Sequence, residues 1–141
     1  MRLLRIIDGQ PQQYSLDALR RDTPGTSFPV QPTLEMLAEY DVYPYDTVPQ
    51  PAVSDAQRVV DGGFEQVSGV WTKVWAVEDL PLAEAEARIR GIRDGKLSSS
   101  DWTQVADAPV DQAAWATYRQ ALRDVPQQAG FPFTVTWPQE P

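Results

Sequence analysis

Thirteen prolines and eight glycines in 141 residues restrict this chain to short elements joined by long connections. Proline has no backbone N–H to donate and clashes inside a helix, so each one ends a helix or interrupts a sheet ladder. The length suits one domain, or a small domain with an appendage. A hydrophobic fraction of 42% allows a real core, though not a large one.

Local signals fill in the elements. Leu3 to Ile7 is an apolar run stopped by Asp8-Gly9, a strand followed by a turn. Ser15 can cap a helix over Leu16 to Arg21, and Thr33 another over Leu34 to Tyr40. Val42 to Asp46, and the chain on to Pro49 and Pro51, reads as extended and irregular. The strand signal is clearest from residue 57 to 78. Arg58 to Val60 is one candidate, and Phe64 to Val67 and Val70 to Val77 flank Ser68-Gly69 as a two-residue hairpin turn. Pro81 suits a helix's first turn, with Leu82, Ala85, Ile89 and Ile92 at helical spacing and Gly95 as the stop. Leu97 to Ser100 reads as a polar linker. A last helix spans about Asp111 to Val125, with Trp115, Tyr118, Leu122 and Val125 as a narrow apolar stripe. Phe131 to Pro138 reads as an edge strand or an extended tail. The expected fold is therefore α+β. Residues 1–80 form a small antiparallel sheet or meander with short helices. Residues 81–141 form a helix, a linker at 97–100, a C-terminal helix and an extended segment rich in aromatics and proline.

The residue inventory narrows the chemistry. With no histidine and no cysteine, no Ser-His-Asp or Cys-His arrangement can be built, and zinc loses its usual ligands. Asp41 with Asp46 lacks the spacing of a calcium loop, and Asp61-Gly62-Gly63 lacks the Lys-Ser/Thr of a phosphate loop. Twenty acidic residues guarantee some close carboxylate pair by chance, and nothing places two at a groove as glycoside hydrolysis requires. The expectation is a protein with no catalytic residues, no cofactor and no metal. The net charge of −8 disfavours nucleic acid and anionic membrane. The only basic cluster, Arg88, Arg90, Arg93 and Lys96, is spread around one helix and opposed by Glu84 and Glu86, which reads as a solvated face. The apolar run at the start, Met1 to Asp8, is expected to be far too short for a signal peptide's core or a membrane span.

Six large rings fall between positions 102 and 137: Trp102, Trp115, Tyr118, Phe131, Phe133 and Trp137. So short a segment cannot bury them all by itself. They pack as a mini-core, with Trp102 and Trp137 covering the Trp115–Leu122 stripe, or they face a partner, and composition leaves the two about even. Trp and Tyr are the residue types that dominate interface energetics.

A series of motifs adds to this. Ser100-Asp101-Trp102-Thr103-Gln104 is followed by Ala113-Ala114-Trp115-Ala116-Thr117-Tyr118-Arg119-Gln120-Ala121-Leu122-Arg123-Asp124, then Gly130-Phe131-Pro132 and Val135-Thr136-Trp137-Pro138. This segment resembles the phage tail assembly chaperone family. Weaker likeness to phage and prophage tail-fibre-associated regions is carried by Tyr14-Ser15-Leu16, Thr26-Ser27-Phe28-Pro29, Val42-Tyr43-Pro44 and Gly69-Val70-Trp71-Thr72-Lys73-Val74-Trp75. Relative to the family, the helix before the Asp-Trp-Thr-Gln motif looks shortened, to about Leu82–Asp94, and interrupted by Gly91. The resemblance implies a non-enzymatic protein that binds a tail or tail-fibre polypeptide in the host cytoplasm. Trp102, Trp115, Tyr118, Leu122, Phe131 and Trp137 are the candidate contact residues, with Arg119 and Arg123 flanking the stripe to anchor acidic or backbone groups. The rival expectation is a structural part of the virion tail. An acidic DNA mimic is a third, opposed by the many aromatics and prolines.

Overall fold

A computed structural model describes residues 1–141. β1 (Leu3–Ile7) and β2 (Gln10–Tyr14) are joined by Asp8 and Gly9, both at positive φ, the turn geometry that matches strand twist. Ser15 caps α1 (Leu16–Asp22), its hydroxyl accepting from the Ala18 N–H at 3.1 Å. Thr33 caps α2 (Leu34–Ala38), accepting from the Met36 N–H at 3.3 Å. Both caps stand where the sequence places them.

The stretch expected to be irregular is instead β3 (Val42–Thr47). It pairs antiparallel with β1 and parallel with β5. Tyr45 N–H donates to Arg2 C=O on the β1 side, so the missing donor of Pro44 faces the other neighbour. Pairing with β5 accordingly begins one residue later, at Tyr45 against Trp71, and runs to Thr47 against Lys73. β4 (Gln57–Val67) and β5 (Val70–Asp79) meet at Ser68-Gly69, again both at positive φ. The two candidate strands before that turn are one strand. Asp61 carboxylate accepts from Gly63 N–H at 2.9 Å, and Gly63 takes a φ of 83°, so the chain passes Gly62-Gly63 without breaking. The sheet order is β2-β1-β3-β5-β4. The fold is α+β as expected, but the sheet is mixed and not an antiparallel meander, because β4 serves as the return path between parallel β3 and β5.

Two compact units result. One comprises Met1–Pro51 and Val60–Ala76, the other Ala52–Val59 and Val77–Pro141. In the first, Leu3, Leu19, Leu37 and Val42 form the core, with Tyr14, Leu16, Phe28 and Tyr40 packed on it. Lys73 ammonium lies 4.9 Å from the Phe64 ring centre and 5.6 Å from that of Trp75, and bonds Asp61 at 2.6 Å. That contact holds the Asp61 carboxyl below its ordinary pKa, with the Gly63 N–H adding to the effect.

In the second unit, Ala56, Leu80 and Ala85 form a small cluster, and Leu80 N–H donates to Ala56 C=O at 2.8 Å. α3 spans Leu82–Ser99, α4 spans Gln112–Asp124, and a 3-10 turn, Asp101–Gln104, precedes the loop between them. Gly95 does not stop α3, and the supposed linker from Leu97 is its last turn. Nor is the helix shortened at Asp94 or broken at Gly91. Packing on α4 and capping from it override the glycines' weak propensity. Asp111 caps α4, accepting from Ala114 N–H at 3.0 Å. Phe131 to Pro138 contains no strand: residues 131–134 make a turn, with Thr134 N–H donating to Gly130 C=O at 2.7 Å, and only the residues after it run on as a tail without regular structure. No helix is long and apolar enough to cross a membrane.

Candidate protein-binding surface

Arg119 organises the centre of the C-terminal unit. It is 8% exposed, and its guanidinium donates to Leu97 C=O at 2.6 Å, Ser100 Oγ at 2.8 Å and Asp101 carboxylate at 2.6 Å. Ser100 Oγ donates in turn to Lys96 C=O at 2.8 Å, and the fully buried Thr103 donates from Oγ1 to Ser100 C=O at 2.7 Å. Leu97 C=O also accepts from Ser100 N–H at 3.2 Å and Ser100 Oγ at 3.0 Å, and as part of a helix end it carries partial negative charge that the guanidinium offsets. The Ser-Ser-Ser-Asp-Trp-Thr stretch is thus a capped helix end held from α4. The motif-bearing residues Asp101, Trp102 and Thr103 are fixed by an arginine from the next motif.

What this turn presents is Trp102, 51% exposed. Its ring centre lies 6.3 Å from that of half-buried Trp115, which stands edge-on to Tyr118 at 5.5 Å. Tyr118 is buried, and its hydroxyl donates to Glu140 at 3.4 Å. Burial first, then the Glu140 charge, raises the Tyr118 pKa. Val105 is as exposed as Trp102. Gln112 side-chain N–H bonds Val105 C=O, tying the loop to the start of α4.

Phe131 and Trp137 belong to a different group. The Arg90 guanidinium lies 5.2 Å from the Phe131 ring centre, and the Lys96 ammonium 5.8 Å from that of Trp137. Trp137 Nε1–H donates to Asp55 carboxylate at 3.0 Å, across 82 positions of sequence. A cleft of about 100 Å³ lies between Ser54–Ala56, Ile89 and the tail, well below the few hundred Å³ of an ordinary ligand pocket. A wider hollow of about 880 Å³ opens in the other unit beside Arg2, Tyr14, Ser15 and Thr33. No group of three or more acidic residues stands close enough to share a metal.

The eight candidate residues therefore divide. Tyr118, Arg119 and Leu122 are buried and support the surface; Trp115, Phe131 and Trp137 are half-buried; Trp102 and Arg123 are exposed. Trp102, Trp115 and Tyr118 come together, with Arg119 beneath the turn, while Phe131 and Trp137 pack on α3's cations. Sequence reasoning missed Val105, Glu140, and Asp55 with Ala56. The last two lie far upstream with no periodic or motif signal to announce them. No curated protein and no solved structure matches the chain. Residues 85–141, which contain the whole Trp102–Trp115 surface, match the family model described as phage tail assembly chaperone protein.

Proposed function

We propose that this protein is a non-enzymatic assembly factor of a phage tail that binds a tail or tail-fibre polypeptide in the host cytoplasm, without a cofactor, a metal, nucleic acid or membrane. The family match over residues 85–141 supports the tail-assembly setting. The observation that carries the binding role is Trp102, half exposed on a turn rigidly held by Arg119. A large apolar ring fixed at the surface loses little conformational entropy on binding, which is what interface anchors require. Trp115 and Val105 extend the apolar area, while Tyr118, Leu122 and Arg119 set its position from below.

Co-expression with each neighbouring tail protein, followed by affinity capture, tests this. Trp102→Ala is expected to weaken capture by about tenfold or more with an unchanged far-UV spectrum. Unaltered capture would remove Trp102 from the interface, and no capture of any tail protein by the wild type would remove the reading. A second reading, a structural part of the tail, is favoured by the continuously exposed Val48–Val53 stretch with Pro49 and Pro51, suited to lying along a neighbour. Stoichiometric presence in purified mature particles would select it over a transient chaperone.

A further inference from the structure

The aromatic rings of the C-terminal unit are unequally supplied with cations. Phe131 is faced by Arg90 and Trp137 by Lys96, both from α3. Trp102 and Trp115 are faced by no lysine or arginine of this chain; their ring neighbours are each other and Tyr118. The local charge points the same way. From Leu97 to Tyr118 there are three carboxylates, Asp101, Asp107 and Asp111, and no lysine or arginine. The one cation that reaches this region, Arg119, is buried beneath the turn and committed to Leu97, Ser100 and Asp101. Asp111 is one helical turn before Trp115, where it caps α4, Asp101 adjoins Trp102 and shares its charge with Arg119, and the exposed Asp107 lies on the loop between them.

We propose that the Trp102–Trp115 surface takes an arginine- or lysine-bearing polypeptide segment, whose cationic side chain lies over the Trp102 ring while its apolar neighbours cover Val105. This rests on the binding role argued above and names the chemistry of the partner. An indole face is the best aromatic partner for a guanidinium or ammonium, and the contact gains when an adjoining carboxylate shares the charge. The chain builds the same contact for itself at Phe131 and Trp137. At Trp102 it supplies the ring, in a stretch without lysine or arginine, and leaves the cation over that ring to come from outside. The overall charge of −8 brings such a segment in from solution, and the ring pair gives it a place to stop.

The full-length protein is titrated with two short synthetic peptides of equal length and apolar content, one carrying arginines and the other glutamates at the same positions, with indole fluorescence as the readout. The arginine peptide is expected to bind about tenfold or more tightly than the glutamate peptide at low salt, and to weaken as salt rises toward about 0.5 M. Trp102→Ala is expected to lower its affinity by about fivefold, and Asp107→Asn to flatten the salt dependence. Both positions are exposed, so neither variant should unfold. Equal binding of the two peptides overturns the proposal. So does unchanged affinity in Trp102→Ala, which would mean that diffuse acidity alone attracts the peptide. The broader reading fails separately. If a co-expressed tail polypeptide is captured through Trp102 with no salt dependence, the cation proposal falls and the assembly role stands; if the arginine peptide binds as expected and no tail polypeptide is captured, the reverse holds.

Discussion

Replacing Arg119 with alanine should cost about 2–4 kcal/mol of stability, and the structure shows why most of it will not come from the ion pair. Three donations are lost, to Leu97 C=O, Ser100 Oγ and Asp101. Asp101's side chain is 65% exposed, so its pair with Arg119 is largely screened and contributes about 0–1 kcal/mol. Leu97 C=O sits at the end of α3, and losing a charged donor there costs about 1.5–3 kcal/mol. The buried aliphatic stem of Arg119 adds a smaller packing loss. Urea unfolding of Arg119→Ala and Asp101→Asn, at low and high salt, separates these contributions. Arg119→Ala should be strongly destabilised and nearly insensitive to salt, Asp101→Asn mildly destabilised and salt-sensitive. Arg119→Lys, a single point charge on a flexible stem, should recover roughly half of the loss. If Asp101→Asn costs as much as Arg119→Ala, the arginine acts as half of an ion pair and the helix-capping argument is wrong.

Other outcomes follow from features of the same unit. Gly130→Ala should destabilise by about 1–3 kcal/mol in thermal unfolding, because a methyl at that position would overlap the Thr134 carbonyl and side chain. Asp55→Ala should cost about 0.5–1.5 kcal/mol and red-shift Trp137 fluorescence by freeing the indole N–H from its carboxylate. Tyr118 has its pKa raised by burial and by Glu140, so the folded state holds the phenol proton more tightly than the unfolded state. Its contribution is therefore full below about pH 10, the unfolded value, and is lost as pH climbs through the raised folded value; Tyr118→Phe should abolish that part of the alkaline fall in a pH series of melts. A fragment of residues 81–141 should be at least about 2 kcal/mol less stable than one of residues 52–141, since it lacks Ala56 against Leu80 and Ala85, and Asp55 against Trp137.

Much of the local structure was legible because its causes are local. Asp8-Gly9 and Ser68-Gly69 announced the two tight turns, and both supply the positive φ values that such turns need. Ser15 and Thr33 announced helix starts that their hydroxyls then cap. What escaped has causes far away in sequence. β3 looked irregular because Pro44 argues against a strand, and only the neighbouring strands reveal that its missing donor falls just before pairing with β5 begins. Gly95 looked like a helix stop because the arginine that secures the following turn comes from 22 positions beyond Leu97. The aromatic density drew attention to positions 102–137. It could not sort rings that face outward from rings that support, since that depends on which side of α4 meets α3. Trp102 and Trp137 were grouped as common covers of one stripe, yet Trp102 stands against Trp115 and Trp137 against Lys96 and Asp55.

β2 ends the sheet on one side, and Pro11 lies opposite Ile6 in its pairing with β1. Ile6 N–H is spent on Asp41 C=O, away from β2, so the alternation of the ladder turns Pro11 toward the open rim. A strand arriving there finds a gap where it needs a donor. A sheet edge without such a break is a template on which another chain can pair and aggregate. The one ring of Pro11 disfavours that route along β2, and leaves the outer rim of β4, which has no proline, as the more open edge of the sheet.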